Sequence, residues 1–390
     1  MSTKKIAVID PSCFTWPYDR ALVEGLRALG HDAVLYTKFL EEGEPGKGIA
    51  YVEEVFYPGF QTAIMKSLPR SIFLALKGAS HIVSLVGLWL RLRKDKPDVI
   101  HFQWTPLPVI DRLFIPALRR IAPVVLTVHD SSPFNNSPSS RLQGMRSIEI
   151  MKSFDCLIVH TEKARAALGV HGVDPKNVVR IEHGLLGKEM SGAIKPLASK
   201  AVGEPVTVLL FGYLKHYKGA DILIEALAKI PMPSRAAIRL RIAGKPLMDT
   251  EPLFARARQL DVEDSIRWDL RFIDDDEVLE MFETSDITAM PYREIDASGV
   301  LMVALAIGRP IVASRIGLFA ELVEDGKHGF LVPMEDPDAL AVALTRLVED
   351  PGLRSRMGSD VRALGKSIPT WEQIAEKTDQ LYARAMLAHA

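Results

Sequence analysis

The stretch FGYLKHYKGADILIEAL, from Phe211 to Leu227, holds the densest chemistry in the chain. A glycine turn at Gly212 ends a short apolar run, Lys215 and Lys218 follow, and Gly219 precedes a helix-like segment beginning near Ala220. Free amides and the dipole of a helix N-terminus, with two ammonium groups beside them, favour an anionic group such as a phosphate. A solvated basic turn before a helix would read the same way. His129, closing the apolar run in LTVHD, reads on its own as a satisfied structural histidine at a strand end. The ten histidines include no pair at i, i+4 spacing with a nearby acid, and no metal is expected. No G-x-G-x-x-G follows the first apolar run, where PSCFTWPYDR is bulky, and no G-x-x-x-x-G-K-[ST] occurs. A nicotinamide-dependent dehydrogenase and a P-loop ATPase are therefore disfavoured.

These residues need elements to hold them, and the chain supplies an alternation. KIAVID, AVLYT, DVIHF, VVLTVH, CLIVH and VVRIEH read as strands, several of them continuously apolar, as parallel strands buried on both faces tend to be. Helix-like segments lie between them, such as Ala21 to Leu29, which Gly30 closes. KPLASKAVGEP, residues 195–205, has no apolar period and is the linker candidate. The pattern then restarts, with VTVLLF, IRLRIA, ITAMP, PIVAS and GFLVP alternating with DILIEALAKI, EVLEMFETS, GVLMVALAIG and DALAVALTRLVED. Two tandem strand–helix domains predict two open parallel sheets, with ligands at the carboxyl ends of the strands and a cleft between the domains.

Composition narrows the class. The 390 residues are 48% hydrophobic and 25% charged, enough apolar material for two or three cored domains. With 48 basic and 49 acidic residues the chain has a formal charge of −1, which argues against a surface built to grip nucleic acid. The balance is uneven: residues 1–195 carry 25 Lys and Arg against 19 Asp and Glu, so the first half is +6 and the second −7. Cys13 and Cys156 have neither disulfide nor zinc spacing, and MSTKKIAVIDPS lacks the pattern of a signal peptide, so a cytoplasmic setting is expected. The apolar stretch from Ser71 to Lys94 is interrupted by Lys77, Gly78, His81 and Gly87, which disfavours a spanning helix. Two readings stay open: a core helix with a solvated basic end, or a surface helix presenting Trp89, Leu85 and Leu88 with Arg91, Arg93 and Lys94 to an anionic bilayer.

Over nearly its whole length the chain resembles glycosyltransferase family 4, retaining enzymes of the GT-B fold that move a sugar from a nucleoside-diphosphate donor. The matching text is Phe211 to Leu227, RIAGKP (Arg241 to Pro246), Ser285 to Ser314, and ELVEDGKHGFLVPMEDPDALAVAL. PDVIHFQW, LTVHD and GHDAVLYT carry it more weakly in the first half. The resemblance implies two Rossmann-like domains facing each other across a cleft, an acceptor-binding domain over 1–195 and a nucleotide-sugar domain over 204–371. A C-terminal helix over about 372–390, after Trp371, would cross back to the first domain.

By the same resemblance Gly212, Lys218 and Lys215 would hold the donor diphosphate, with Tyr213 where relatives often carry an arginine. His129 would face the transferring sugar. Family members carry a spaced pair of glutamates, one beside the sugar and one on the ribose. Here Glu294 and Asp296 are both candidates for the first, and Val303 stands where the second is expected. Ser298, Gly299 and Val300 open the following helix and offer amides to the donor. Phe272 and Ile273 sit where the family recognises the base, although an apolar strand end would look alike. Asp274, Asp275 and Asp276 resemble the manganese motif of a different glycosyltransferase fold, yet they precede EVLEMF and suit a helix cap. The implied activity is metal-independent, cofactor-free transfer from a nucleotide sugar to a glycan or polyprenyl-diphosphate-linked acceptor. The setting would be bacterial surface or exopolysaccharide synthesis, in the cytoplasm or peripherally on the inner membrane. A non-catalytic nucleotide-sugar-binding or scaffold protein of the same fold is the alternative.

Overall fold

The computed structural model describes residues 2–129, 147–187, 201 and 204–389. Contacts divide the chain into two units, Met1–Glu182 with Thr370–Ala390, and His183–Pro369.

The first unit carries a parallel sheet of β1 (Lys5–Asp10), β2 (Asp32–Lys38), β3 (Val52–Phe56), β4 (Val99–Phe102), β5 (Val124–Val128), β6 (Cys156–Val159) and β7 (Val178–Arg180), in the order β3-β2-β1-β4-β5-β6-β7. β1 from Ile6 onward and all of β5 are buried, which explains why both are written in unbroken apolar runs. β2 and β3 extend from one side of β1 and the later strands from the other, so the order reverses between β1 and β4. A crevice forms at such a point, because the connections following the two strands leave to opposite faces.

The second unit repeats the plan with β8 (Val206–Phe211), β9 (Ile238–Ala243), β10 (Ile266–Asp269), β11 (Ile287–Met290), β12 (Ile311–Ser314) and β13 (Gly329–Val332), in the order β10-β9-β8-β11-β12-β13. Its switch point lies between β8 and β11. β3 and β10 were not among the expected strands. Both are edge strands, and VEEVF and IRWD mix charge into half-exposed backbone, so neither shows a buried strand's apolar run.

The C-terminal helix Trp371–His389 belongs to the first unit. It packs on the helix Trp16–Ala28 where Gly25 permits close approach; a Cβ there would lie 2.9 Å from the Trp371 carbonyl oxygen. Its buried Tyr382 hydroxyl meets His101 Nδ1 at 2.6 Å, and Asp379 pairs with Lys4 and His31. The expected boundary at 195 and most of the linker 195–205 lie outside the described residues. The units divide at Glu182 instead, and Leu185 and Leu186 already pack on the second unit's core.

The helix Arg70–Asp95 corrects one expectation. Leu85 and Leu88 are buried in the first unit's core and so are not presented outward, while the exposed Arg91 is paired with Glu53 and Asp95. A different set of its residues faces solvent.

Candidate active site

The second unit's switch point is built from glycines and one buried amine. Beyond Phe211 the chain turns at Gly212 with φ of +112°, where a Cβ would sit 3.0 Å from Lys218 Nζ. At the end of β9, Gly244 has φ of +135°, and a Cβ there would come within 2.1 Å of the Gly212 carbonyl oxygen. The two strand ends therefore close on each other only because both residues lack a side chain. His216–Lys218 makes a single 3-10 turn, Gly219 takes a left-handed conformation, and the helix Ala220–Lys229 starts.

Lys218 is buried. Its Nζ donates to Tyr292 Oη at 2.6 Å and to the Phe211 carbonyl at 3.4 Å, and lies 4.3 Å from the Tyr292 ring centroid. All these partners are neutral, and among the described residues no carboxylate pairs with the ammonium. Burial, with Lys215 adding like-charge repulsion, lowers its pKa from 10.5 to about 7. A buried ammonium without a counter-ion is poised to take an anion.

Tyr292, Ser298 and Val300 come to the same place from the segment after β11. Burial pushes the Tyr292 phenol well above its ordinary range, so it stays neutral, and it hydrogen-bonds with Ser298. Ser298 caps the helix Gly299–Ile307, its hydroxyl accepting from the Leu301 amide at 3.3 Å. Val300 lies 3.6 Å from the position of a Gly212 Cβ, and a Cβ at Gly299 would lie 3.0 Å from Leu186. The structure thus assembles Gly212, Lys215, Lys218, Ser298, Gly299 and Val300 at one switch point.

The other expected residues make no hydrogen bond or ion pair with Lys218 among the described residues. Glu294 and Asp296 follow Tyr292 in the chain, but neither is a partner of Lys218; the Asp296 carbonyl accepts from the Leu318 amide at 2.9 Å. Ile273 is buried in the core that also holds Tyr292, and its neighbour Phe272 is exposed. Both follow β10, two strands from β8. Asp274 occupies the N-cap of the helix Asp275–Thr284, with Asp275 and Asp276 in its first turn. Val303 is half-buried on the helix Gly299–Ile307 and packs on the core.

Sequence reasoning missed Tyr292 and Arg293. Arg293 grips Asp221 through two bonds of 2.9 and 2.7 Å, Glu335 at 2.7 Å and the His216 carbonyl at 2.9 Å. It ties the loop after β11 to the loop after β8, and a Cβ at Gly219 would lie 2.0 Å from the Pro291 carbonyl oxygen. A Tyr-Arg pair immediately after a buried strand was the available signal.

In the first unit His129 follows β5. Its Nε2 donates to Gln103 Oε1 at 3.0 Å, its ring stacks on Trp104 at 5.3 Å, and Tyr18 meets it edge-on at 4.8 Å. Trp104 Nε1 donates to the Thr15 hydroxyl at 3.0 Å, which donates to Asp19 at 3.1 Å. Asp10, at the end of β1, accepts from the Ser12, Phe14 and Thr15 amides. Burial, then the Asp10 charge, raises the Asp19 pKa well above its ordinary value, and the bonds to Asp10 and Asp19 fix the loop whose Thr15 seats Trp104. A cavity of about 30 Å³, room for one water, opens beside Gln103, Trp104 and His129.

Two Rossmann-like units, each with polar residues at its switch point, define a protein of the GT-B class, and solved structures agree. A sucrose-phosphate synthase from Thermosynechococcus elongatus superposes with a TM-score of 0.78 at 20% identity, covering 99% of this chain and 100% of that one. Anabaena HepE in complex with UDP and glucose gives a TM-score of 0.74 at 19% identity over 98% of this chain and 100% of that one. A model of the glycosyl transferases group 1 matches residues 196–363 and one of glycosyltransferase family 4 matches residues 20–185. The chain belongs to glycosyltransferase family 4. It is similar to D-inositol 3-phosphate glycosyltransferase of Streptomyces bingchenggensis, 28% identical over 324 residues, 77% of this chain and 70% of that protein. The protein of that description from Corynebacterium efficiens is 28% identical over 68% of this chain and 66% of its own length. The chain thus spans about two thirds of the length of these relatives.

Proposed function

We propose that the protein transfers a hexosyl group from a nucleoside-diphosphate sugar, with retention of anomeric configuration and without a metal or other cofactor. The observation that carries this reading is Lys218: a buried ammonium with neutral partners only, beside the Gly212 turn and a helix N-terminus. In this reading Lys218 and Lys215 neutralise the diphosphate as the glycosidic bond to the leaving oxygen breaks, while the amides of Ser298, Gly299 and Val300 meet the donor. Such preorganised charge acts most strongly where water is excluded. The acceptor hydroxyl attacks from the face the diphosphate leaves, and its proton passes to the departing phosphate. The first unit's contribution is His129, held by Gln103 and Trp104, and the carboxylate on the donor sugar comes from Glu294 or Asp296. Phe272 is assigned to the base; Ile273, buried in the core, supports it from behind.

We assign the acceptor to glycan or polyprenyl-diphosphate-linked sugars of a bacterial surface or exopolysaccharide, handled on the cytoplasmic side of the membrane. Similarity to D-inositol 3-phosphate glycosyltransferases makes a phosphorylated polyol the comparison acceptor. Val303 favours one second reading, a nucleotide-sugar-binding protein that does not turn over, because the helix offers no carboxylate there for a ribose.

The deciding experiment incubates the chain with a panel of nucleoside-diphosphate sugars and follows both binding and diphosphate release. Release in the parent that falls by about two orders of magnitude or more in Lys218→Ala supports the transferase. Binding without release supports the second reading, and normal release by Lys218→Ala removes the lysine from the mechanism.

A further inference from the structure

The helix Arg70–Asp95 is apolar on two sides, and one side has no partner among the described residues. His81, Ser84, Leu85, Leu88 and Leu92 are buried in the first unit. They anchor the helix: His81 Nε2 lies 2.6 Å from Asp111, and the Ser84 hydroxyl accepts from the Tyr57 amide at 3.1 Å. On the opposite side Ile72, Leu76, Ala79, Val83, Val86 and Leu90 follow at steps of three or four residues, a single stripe of an α-helix. Val83 is 68% exposed, Leu90 55% and Ile72 49%. At 1.5 Å per residue the stripe is about 27 Å long. An 18-residue window of this helix has a mean hydropathy of 1.6 with only 22% of it buried.

Charge decides what covers the stripe. No acidic residue occurs between Glu54 and Asp95, whereas Lys66, Arg70, Lys77, Arg91, Arg93 and Lys94 are basic. Lys77 lies over the Tyr57 ring at 4.7 Å, and Arg91 is held by Glu53 and Asp95. Arg93 and Lys94, which flank the stripe at its C-terminal end, are exposed, with no carboxylate partner among the described residues. Arg93 instead stacks over Trp89 at 4.8 Å, a pairing of cation and indole suited to a lipid interface. A second copy of this face would set like charges against each other. A spanning orientation would tear the buried face from its core. An anionic bilayer satisfies the stripe and the flanking Arg93 and Lys94 at once.

We propose that the outer face of Arg70–Asp95 lies flat on an anionic membrane, with the stripe sunk to the acyl boundary and Arg93 and Lys94 on headgroup phosphates. This goes beyond the transferase reading and does not depend on it, because adsorption requires no donor and no turnover. The test is flotation of the full chain with phosphatidylcholine vesicles and with vesicles in which about a third of the lipid is phosphatidylglycerol. The parent is expected to float with the anionic vesicles at least about ten-fold better than with the neutral ones, less so as salt rises. Val83→Glu with Leu90→Glu, and separately Arg93→Glu with Lys94→Glu, should each cut flotation about ten-fold while thermal melting stays at the parent value. If the apolar pair failed to fold, the exposed basic pair would decide alone. Equal or absent flotation on the two lipids, or variants that float like the parent, would overturn the proposal. So would a concentration-dependent dimer that the Val83 and Leu90 changes disperse in a chain without lipid affinity.

Discussion

Replacing Lys218 by Met should stabilise the protein at the same time as it removes donor binding. The methionine keeps the length of the stem and leaves out the charge. Lowering the ammonium from 10.5 to about 7 on folding means that the unfolded chain holds a proton there that the folded chain releases across that window. Stability therefore rises with pH from about 7 to 10.5, and the penalty of the buried charge is fully present below 7. At 1.36 kcal/mol for each tenfold change in the ionisation constant, that penalty is roughly 5 kcal/mol at pH 6. Against it stand the bonds to Tyr292 Oη and the Phe211 carbonyl, worth about 1 kcal/mol each and somewhat more when an acceptor is left unmet. The net expectation is a gain of about 2 kcal/mol in the methionine variant at pH 6, shrinking through neutrality and reversing by about pH 10. Thermal melting of parent and variant from pH 6 to 10 reads this crossing directly. A saturating nucleoside diphosphate, at about 100 times its Kd, should restore some 2.7 kcal/mol to the parent and nothing to the variant. Binding should also draw a proton onto the parent above pH 7, visible as a buffer-dependent heat. A variant less stable than the parent at every pH, or one that takes the diphosphate as well as the parent does, would refute the reasoning.

Gly212→Ala places a methyl 3.0 Å from Lys218 Nζ at φ of +112°, so it should weaken diphosphate binding by about ten-fold or more, checked by titration calorimetry. His129→Ala should lower turnover by about a hundred-fold and leave donor Kd within about two-fold, since the residues proposed to hold the diphosphate lie in the second unit. Single-turnover and equilibrium binding measurements separate the two effects. Burial lowers His101 to about 3 and His160 to about 4, so the unfolded chain takes up protons below pH 6.5 that the folded first unit refuses. Stability should fall as pH drops from 6.5 towards 4, by about 2 kcal/mol per histidine at pH 5, and a flat melting profile over that range would contradict neutral buried imidazoles.

The turn to which donor binding is assigned could be read from the sequence because one short stretch carries the whole arrangement. Gly212, Lys218 and Gly219 are contiguous, and the turn, the amine and the helix start are local events that residue type alone announces. Tyr292 and Arg293 act on that stretch from more than seventy positions away in the chain. Only the strand order β8-β11 makes them neighbours, and strand order has no local signature. For the same reason the acidic candidates Glu294 and Asp296 could be named from their segment but not ranked.

The helix Arg70–Asp95 shows a limit of another kind. Apolar periodicity normally tells which face is inside, yet here the face carrying His81 and Ser84 is buried and the wholly aliphatic face is outside. Two buried polar partners, Asp111 for His81 and the Tyr57 amide for Ser84, hold the inner face, and neither is visible from the helix's own residues. Leu85 and Leu88 were therefore indistinguishable in sequence from Val83 and Leu90. An inversion of this kind costs solubility unless something apolar meets the outer face, and each exposed aliphatic residue would face water without return. The exposed Arg93 and Lys94, which have no acidic partner among the described residues on a chain whose formal charge is −1, specify which apolar phase that is. Moving the charges while leaving the stripe intact, as in Arg93→Glu with Lys94→Glu, therefore tests the identity of the phase, and replacing the stripe tests only its presence.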